Sequence, residues 1–443
     1  MTALPNFAIQ DRLQFLLNQL QLDDAPAGGA VVVYHNGNCI AQAATGLARP
    51  ELPWQPDTLS LNFSAGKGIL ATLVHVLVSN GILEYDAPIS DYWSEFDANG
   101  KAKITLREVL SHQANLFAIT SLEIDASSML DWSLMTSKVA AMSPAIPEPM
   151  PSSQTPYVSA YSALVYGWVL GGLIEAATHQ PFQDVLKTYL TEPLGISESC
   201  YFGVPSDKVD IVAKLPKDFA PLQVEQSPTK KRRKPVLKAE SLETLATFEK
   251  LPSYPCWQEL AVKNGIASED KPLNTAQISQ LYFNQSKLNL KNYKAALIPN
   301  GAGIDYYAPD ALQAVMPAVN GVASAKALAI IYAMLASGGN WQGKTLIDSA
   351  TFTKLATPQV DGQDAVMPTN MAWRLGYHRL FQVCNPKGKL GFGHMGYNGA
   401  SAWCDPERNL SFAFVHNFDV TMLTDIRQFA LAEAVIAMVD EAL

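Results

Sequence analysis

The sequence predicts a mixed α/β protein of the α+β kind, in which helices flank an antiparallel sheet that both ends of the chain build together. Strand patterns lie near both termini and helical patterns fill the middle, while 443 residues exceed what a single hydrophobic core usually supports. We therefore expect residues 1–85 and 300–443 to form a discontinuous sheet domain, residues 86–204 a helical domain, and residues 205–299 an irregular insert with a basic loop.

The N-terminal part of the chain predicts a helix, a β-hairpin and a second helix. Apolar residues recur at helical spacing over residues 9–20, and the apolar run 29–35 leads into Asn36-Gly37, a strong hairpin signal. A further apolar helix is expected from about residue 65 to residue 79, because Asn80-Gly81 supplies a helix stop.

The middle of the chain predicts mainly helices, at residues 106–111, 161–178 and 182–189. The apolar stretch 157–174 contains glycine, serine and tyrosine residues, which favours a buried helix over a membrane span. In the insert, no aromatic residues interleave with the basic run 230–234. That run therefore favours a solvated loop over a nuclear-import signal or a nucleic-acid site.

The C-terminal part returns to strands. A helical run over residues 324–335 is followed by three strand patterns at residues 391–396, 400–404 and 410–416, and the chain closes on a helical stretch over residues 422–438. These strands and the N-terminal hairpin are the pieces from which the predicted antiparallel sheet is assembled.

Composition narrows the classes of partner. Charged residues make up only 16% of the chain and the net charge is −9, so we expect neither long disorder nor binding to nucleic acid. The first thirty residues show no basic and apolar export pattern, and the five cysteines are widely spaced, which predicts reduced thiols in the cytoplasm. We expect a small-molecule substrate, no cofactor or metal and no membrane; the oligomeric state is left open.

Several common catalytic motifs are absent from the sequence. The seven histidines form no HExxH motif, and no serine lies in a GxSxG elbow. Residues 391–396 match GxGxxG, but a strand pattern follows them where a phosphate-binding loop needs a helix, so we interpret this match as chance.

Ser64 and Lys67 are the candidates for chemistry, because they lie at positions i and i+3 where an apolar helix begins. That spacing places the hydroxyl and the amine on one face, and burial can lower the pKa of the lysine until it acts as a base. The alternative is an ordinary N-cap serine. A second Ser-x-x-Lys match at Ser227 lies in the basic loop and heads no apolar helix.

Three motifs in order resemble the penicillin-recognising serine hydrolase superfamily, and more narrowly the branch of class C β-lactamases and β-lactamase-like carboxylesterases. They are Ser64-Ala-Gly-Lys67, Tyr161-Ser-Ala163 with the helix after it, and Gly393-His-Met-Gly396. The resemblance runs from about residue 28 to residue 438, apart from the insert, and implies the β-lactamase/DD-peptidase-like fold.

The resemblance also implies roles for the matched residues. Ser64 would be the nucleophile, Lys67 its base and Tyr161 the phenol that shuttles protons to the leaving group and to the deacylating water. The backbone N–H groups of Ser64 and Tyr397 would hold the oxyanion, and His394 and Gly396 would contribute to substrate binding. Independently, we expect an ammonium at Lys67 to lower the pKa of the Tyr161 phenol.

Two departures from the family pattern bear on the substrate. Ala163 stands where β-lactamases usually have an asparagine, and His394 stands where they usually have a lysine that meets the substrate carboxylate. Histidine is only a conditional cation near neutral pH. The sequence therefore favours a carboxylesterase on small esters; a β-lactamase, D-amino-acid peptidase or acyltransferase on the same site is the first alternative, and a catalytically silent binding or assembly protein is the second.

Overall fold

A computed structural model describes residues 7–22, 26–149, 156–219, 241–301, 303–384 and 390–442. The basic run 230–234 and the Ser-x-x-Lys match at Ser227 lie outside the described residues. The α-helices are α1 Phe7–Gln19, α2 Gly66–Ser79, α3 Leu106–Leu110, α4 Trp132–Ala141, α5 Val165–Thr178, α6 Phe182–Leu186, α7 Glu192–Leu194, α8 Leu242–Phe248, α9 Tyr254–Lys263, α10 Thr275–Tyr282, α11 Leu290–Leu297, α12 Pro309–Gln313, α13 Ala325–Ala336, α14 Ser349–Ala356 and α15 Arg427–Ala442. A π-helical turn, Lys187–Thr191, joins α6 to α7. The strands are β1 Gly29–His35, β2 Asn38–Thr45, β3 Leu47–Arg49, β4 Leu52–Pro53, β5 Ser60–Phe63, β6 Cys200–Tyr201, β7 Gly321–Ala323, β8 Asn340–Trp341, β9 Lys344–Thr345, β10 His378–Arg379, β11 Phe392–Met395, β12 Ser401–Asp405 and β13 Leu410–His416.

The main sheet joins the two ends of the chain. Its strand order is β10-β11-β12-β13-β1-β2, and every neighbouring pair is antiparallel. The first strand pairs with the last over its full length, so that Gly29 lies opposite His416 and His35 opposite Leu410. The predicted antiparallel sheet built from both termini is therefore confirmed.

Helices cover both faces of this sheet. Along β1, Ala30 and Val32 belong to the core that contains α2, α5 and α13, whereas Val31 and Val33 belong to the core that contains α1 and α15. The alternation follows from the two-residue period of a strand. A second, three-stranded sheet has the strand order β5-β7-β6. Its strand β5 leads directly into α2.

The predicted helices agree with the structure in most places. The helix expected over residues 161–178 begins at Val165 and is buried along most of its length, as expected of a core helix. No helix among the described residues is long and apolar enough to cross a membrane. The closing helix begins at Arg427, later than the expected residue 422. The Met422 N–H donates to Tyr397 O, and the Arg427 N–H donates to Asp425 Oδ1, so these N–H groups form bonds outside a helix.

The insert is not irregular, and this expectation was wrong. Its described parts are residues 205–219 and 241–299, and the second of them contains the helices α8, α9, α10 and α11. Polar N-caps start three of them, Ser241, Asn274 and Asn289, and the buried side chains share a core with α15. The helices are short and bury only one side, so polar residues dominate their sequence and hide the period.

The cysteines also differ from expectation. Cys256 on α9 and Cys384 form a disulfide across a sequence separation of 128 residues, with their Cα atoms 5.6 Å apart, whereas the sequence predicted reduced thiols throughout. Cys39, Cys200 and Cys404 are free. A pairing between residues so far apart in the chain depends on the tertiary fold, and spacing alone does not reveal it.

Candidate active site

Ser64 lies in the sharp turn between β5 and α2. Phe63, the last residue of β5, has a φ of 48°, in the left-handed region that a side chain rarely adopts. The chain then enters α2, which carries Lys67 one turn further on, and Lys67 Nζ lies 2.9 Å from Ser64 Oγ. The structure therefore brings together the two residues that the spacing predicted to meet.

Lys67 is surrounded by acceptors. Its side chain has no accessible surface, and Nζ lies 2.6 Å from Ala163 O and 2.8 Å from Ala318 O. Burial lowers the pKa of Lys67 well below its usual value. A neutral amine has two N–H bonds to donate to the two carbonyls, and its lone pair then faces the Ser64 hydroxyl. This arrangement suits an amine that accepts the serine proton.

Tyr161 completes the group. Its phenol interacts with the Ser64 side chain, which opposes the rise in its pKa, and Lys67 Nζ lies 5.1 Å from the centroid of its ring. Burial raises the pKa of Tyr161 far above its ordinary value. The expected lowering of this pKa by an ammonium is therefore wrong, because desolvation disfavours the charged forms of both residues. Near neutral pH the phenol keeps its proton and is a donor.

Two backbone N–H groups are available for an oxyanion. The end of β11 packs directly on the segment before Ser64, and a Cβ at Gly396 would lie 2.3 Å from Asn62 O, so only glycine allows this approach. Tyr397 follows immediately. Among the described residues, neither the Ser64 N–H nor the Tyr397 N–H donates to another main-chain group. Unused donors of this kind suit a developing negative charge.

His394 is a neutral acceptor and not a conditional cation. It is buried, its Nδ1 lies 3.0 Å from Met395 O, and burial lowers its pKa well below the ordinary value. Because a carbonyl only accepts, Nδ1 carries the proton and Nε2 keeps a lone pair. His394 Nε2 has no partner among the described residues. The imidazole can therefore accept a hydrogen bond from a substrate or a water, but it does not offer a charge to a carboxylate.

Sequence reasoning missed several residues around the phenol. Trp373 stacks on Tyr161 with ring centroids 5.3 Å apart, and His112 packs against both rings. His378 Nε2 accepts a hydrogen bond from the Met395 N–H and so holds the third motif in place. Nothing in the local sequence marks Trp373 or His378 as part of the site. No group of three or more His, Cys, Asp or Glu residues in the described part of the chain is arranged to hold a metal ion.

Comparisons with known proteins find relatives over most of the chain. The chain is 30% identical over 398 residues to the Esterase/beta-lactamase LipL of Mycobacterium tuberculosis, covering 88% of this chain and 77% of that protein. The crystal structure of a penicillin-binding protein homolog from Caulobacter crescentus superposes with a TM-score of 0.70 at 27% identity and covers 98% of both chains. A family VIII carboxylesterase superposes with a TM-score of 0.68 at 21% identity over 97% of both chains, which shows the shared fold.

The three motifs, the sheet built from both termini and these relatives point to one family. The family model described as Beta-lactamase matches residues 17–435, nearly the whole chain. The protein is a serine hydrolase, and the chain belongs to the Beta-lactamase family.

Proposed function

We propose that the protein is a carboxylesterase that hydrolyses small esters through an acyl-Ser64 intermediate. The observation that carries this proposal is the environment of Lys67, whose buried amine lies 2.9 Å from Ser64 Oγ while two carbonyls occupy its other hydrogen-bonding positions. An amine in this setting is a ready proton acceptor for a serine nucleophile.

Acylation follows from the positions of the three side chains. Ser64 Oγ attacks the ester carbonyl carbon and its proton passes to Lys67 Nζ, while the N–H groups of Ser64 and Tyr397 donate to the oxyanion. When the C–O bond breaks, the Tyr161 O–H gives its proton to the leaving alkoxide, and the Lys67 ammonium restores the phenol. The alcohol departs and both residues return to their neutral forms.

Deacylation reverses these roles. A water takes the place of the alcohol, and Tyr161 and Lys67 together remove its proton as it attacks the acyl carbon. The tetrahedral intermediate then releases Ser64 Oγ, which regains a proton from Lys67. The raised pKa of Tyr161 and the lowered pKa of Lys67 support this cycle, since each residue starts in its neutral form.

Two features favour an ester over a β-lactam. Ala163 has no side-chain amide to hold the amide of a lactam substrate, and His394 is neutral where a lysine would meet the carboxylate. The relative from Mycobacterium tuberculosis is described as both an esterase and a β-lactamase, so a slower β-lactamase activity on the same site is the second candidate. The family and the esterase relatives disfavour a catalytically silent protein.

A substrate panel tests the proposal. We expect p-nitrophenyl esters of short acids to be hydrolysed with a burst, faster than nitrocefin or D-aminoacyl amides, and a fluorophosphonate to label Ser64. Ser64→Ala should abolish both turnover and labelling, whereas Ser349→Ala, at an exposed serine on α14, should leave both unchanged. Ester turnover that survives Ser64→Ala would refute the mechanism, and faster hydrolysis of nitrocefin would move the assignment to a β-lactamase.

A further inference from the structure

A buried carboxylate lies behind Tyr161, on the loop between α14 and β10. Asp364 is 1% exposed, and its Oδ1 accepts hydrogen bonds from three main-chain N–H groups: Val366 at 2.8 Å, Met367 at 2.9 Å and Tyr161 at 3.3 Å. Asp364 Oδ1 therefore links the loop that contains Asp364 to the main chain of Tyr161.

The second oxygen of Asp364 is linked to the ring of the same tyrosine through Trp373. Asp364 Oδ2 accepts hydrogen bonds from Ser159 Oγ at 2.7 Å and from Trp373 Nε1 at 3.1 Å. The Trp373 ring in turn stacks on the Tyr161 ring at an interplanar angle of 16°. The carboxylate thus constrains both the backbone of Tyr161 and the plane in which its ring lies.

We propose that Asp364 is a positioning residue that holds the Tyr161 phenol in line with Ser64. The proposal rests on the proposed function, because it assigns Asp364 a part in the proton transfer made by Tyr161. A buried carboxylate is costly unless its lone pairs are satisfied. The donors around Asp364 come from three segments, and two of these carry the stacked rings of Tyr161 and Trp373. A displacement of about 1 Å in a proton-transferring group can lower a rate about 100-fold.

Asp364→Asn separates this role from a general loss of packing. The asparagine amide would point its N–H bonds at groups that are themselves donors, most directly at Trp373 Nε1. We therefore expect kcat/KM for a p-nitrophenyl ester to fall about 10- to 100-fold. The decisive measurement is the same substitution in a Tyr161→Phe background. Because the phenol is then already missing, we expect Asp364→Asn to lower kcat/KM by less than about 2-fold further.

Glu433 offers a matched control. It is also a buried carboxylate, 3% exposed, and it accepts hydrogen bonds from Tyr282 Oη and the N–H groups of Val383 and Cys384, at the contact of the insert with α15. Glu433→Gln should lower the melting temperature but change kcat/KM less than about 2-fold. If Asp364→Asn does not fold, Trp373→Phe removes one of its donors more gently, and we expect a 3- to 10-fold loss that again disappears in the Tyr161→Phe background.

The outcomes separate the inference from the proposed function. The positioning role is supported if Asp364→Asn, or Trp373→Phe in its place, lowers kcat/KM in the wild-type background but not in the Tyr161→Phe background. The inference is overturned if the loss of kcat/KM from Asp364→Asn multiplies with that from Tyr161→Phe, or if Glu433→Gln causes the same loss. Either result leaves the proposed esterase function unaffected. Wild-type protein without Ser64-dependent turnover overturns the proposed function, and the inference with it.

Discussion

Two buried lysines of this protein, Lys67 and Lys101, share several kinds of neighbour, although Lys67 lies deeper in the protein. Neither has accessible surface, and each Nζ donates to two main-chain carbonyls, those of Ala163 and Ala318 for Lys67 and those of Ala98 and Met142 for Lys101. Each Nζ also lies 5.1 Å from the centroid of an aromatic ring, Tyr161 or Phe96. Burial beside carbonyls and a ring therefore does not by itself distinguish a catalytic lysine.

The difference lies in the third partner and in the charge nearby. Lys67 Nζ has the Ser64 hydroxyl within hydrogen-bonding distance, and burial lowers its pKa well below its usual value. Burial also lowers the pKa of Lys101, but Asp97 opposes that change. We infer that Lys101 ties the loop at Ala98 to the end of α4, whereas Lys67 is held neutral beside a proton that it can accept.

Lys67→Met gives the largest expected effect. Methionine keeps the volume of the side chain and removes the amine, so we expect kcat/KM for a p-nitrophenyl ester to fall by about 10³- to 10⁴-fold. Lys101→Met should change kcat/KM less than about 2-fold. It should instead lower the free energy of unfolding by about 1–3 kcal/mol, because two carbonyls lose their donor.

Steady-state rates and urea unfolding of both variants check this contrast. Equal losses of activity from Lys67→Met and Lys101→Met would show that burial of the amine, and not the hydroxyl partner, decides its role.

Tyr161→Phe gives Lys67 a phenylalanine ring as its neighbour, as Lys101 has at Phe96. The ring packing is kept and only the O–H is lost, so we expect kcat to fall by about 10²- to 10³-fold with a small change in stability. Tyr166→Phe is the matched control, because its buried hydroxyl has no partner among the described residues. An undiminished kcat in Tyr161→Phe would remove the phenol from the mechanism.

The smallest expected effect is a change in how the free energy of unfolding depends on pH, and it again distinguishes Lys67 from Lys101. In the unfolded chain Lys67 is protonated below its ordinary pKa of 10.5, whereas the folded amine is neutral down to its lowered pKa. Folding thus releases a proton in this window, and Lys67 should make the free energy of unfolding rise with pH by up to about 1.4 kcal/mol per pH unit. That contribution should be lost in Lys67→Met and kept in Lys101→Met.

Urea unfolding at several pH values between 6 and 10 measures these slopes. On the same argument, kcat/KM should fall as the pH drops through the lowered pKa of Lys67, and the raised pKa of Tyr161 should cause no alkaline fall below pH 10. A wild-type slope equal to that of Lys67→Met would mean that the folded amine is charged.

The part of the site that residue spacing alone predicted is local in the chain, whereas Tyr161, His394, Gly396 and Tyr397 were predicted only through the family resemblance. Ser64 and Lys67 are three residues apart, and a strand that turns into a helix is enough to bring them together. The Ala318 carbonyl, 251 residues from Lys67, and Asp364, 205 residues from Ser159, carry no local signal. The disulfide and the helices of the insert were missed for related reasons, since long-range pairing and one-sided burial leave little trace in a short window.

The sequence by itself determined the hairpin that opens the sheet, the apolar helix behind Ser64 and the order of the three motifs, because each depends on residues only a few positions apart. Only the tertiary structure decided which groups are charged. The sequence predicted that burial lowers the pKa of Lys67, which the structure bears out. It also predicted a lowered pKa for the Tyr161 phenol and a conditional cation at His394. The folded chain removes water from Lys67, Tyr161 and His394, which lowers the pKa of Lys67 and His394 and raises that of Tyr161, because desolvation depends on segments that meet only when the chain is folded.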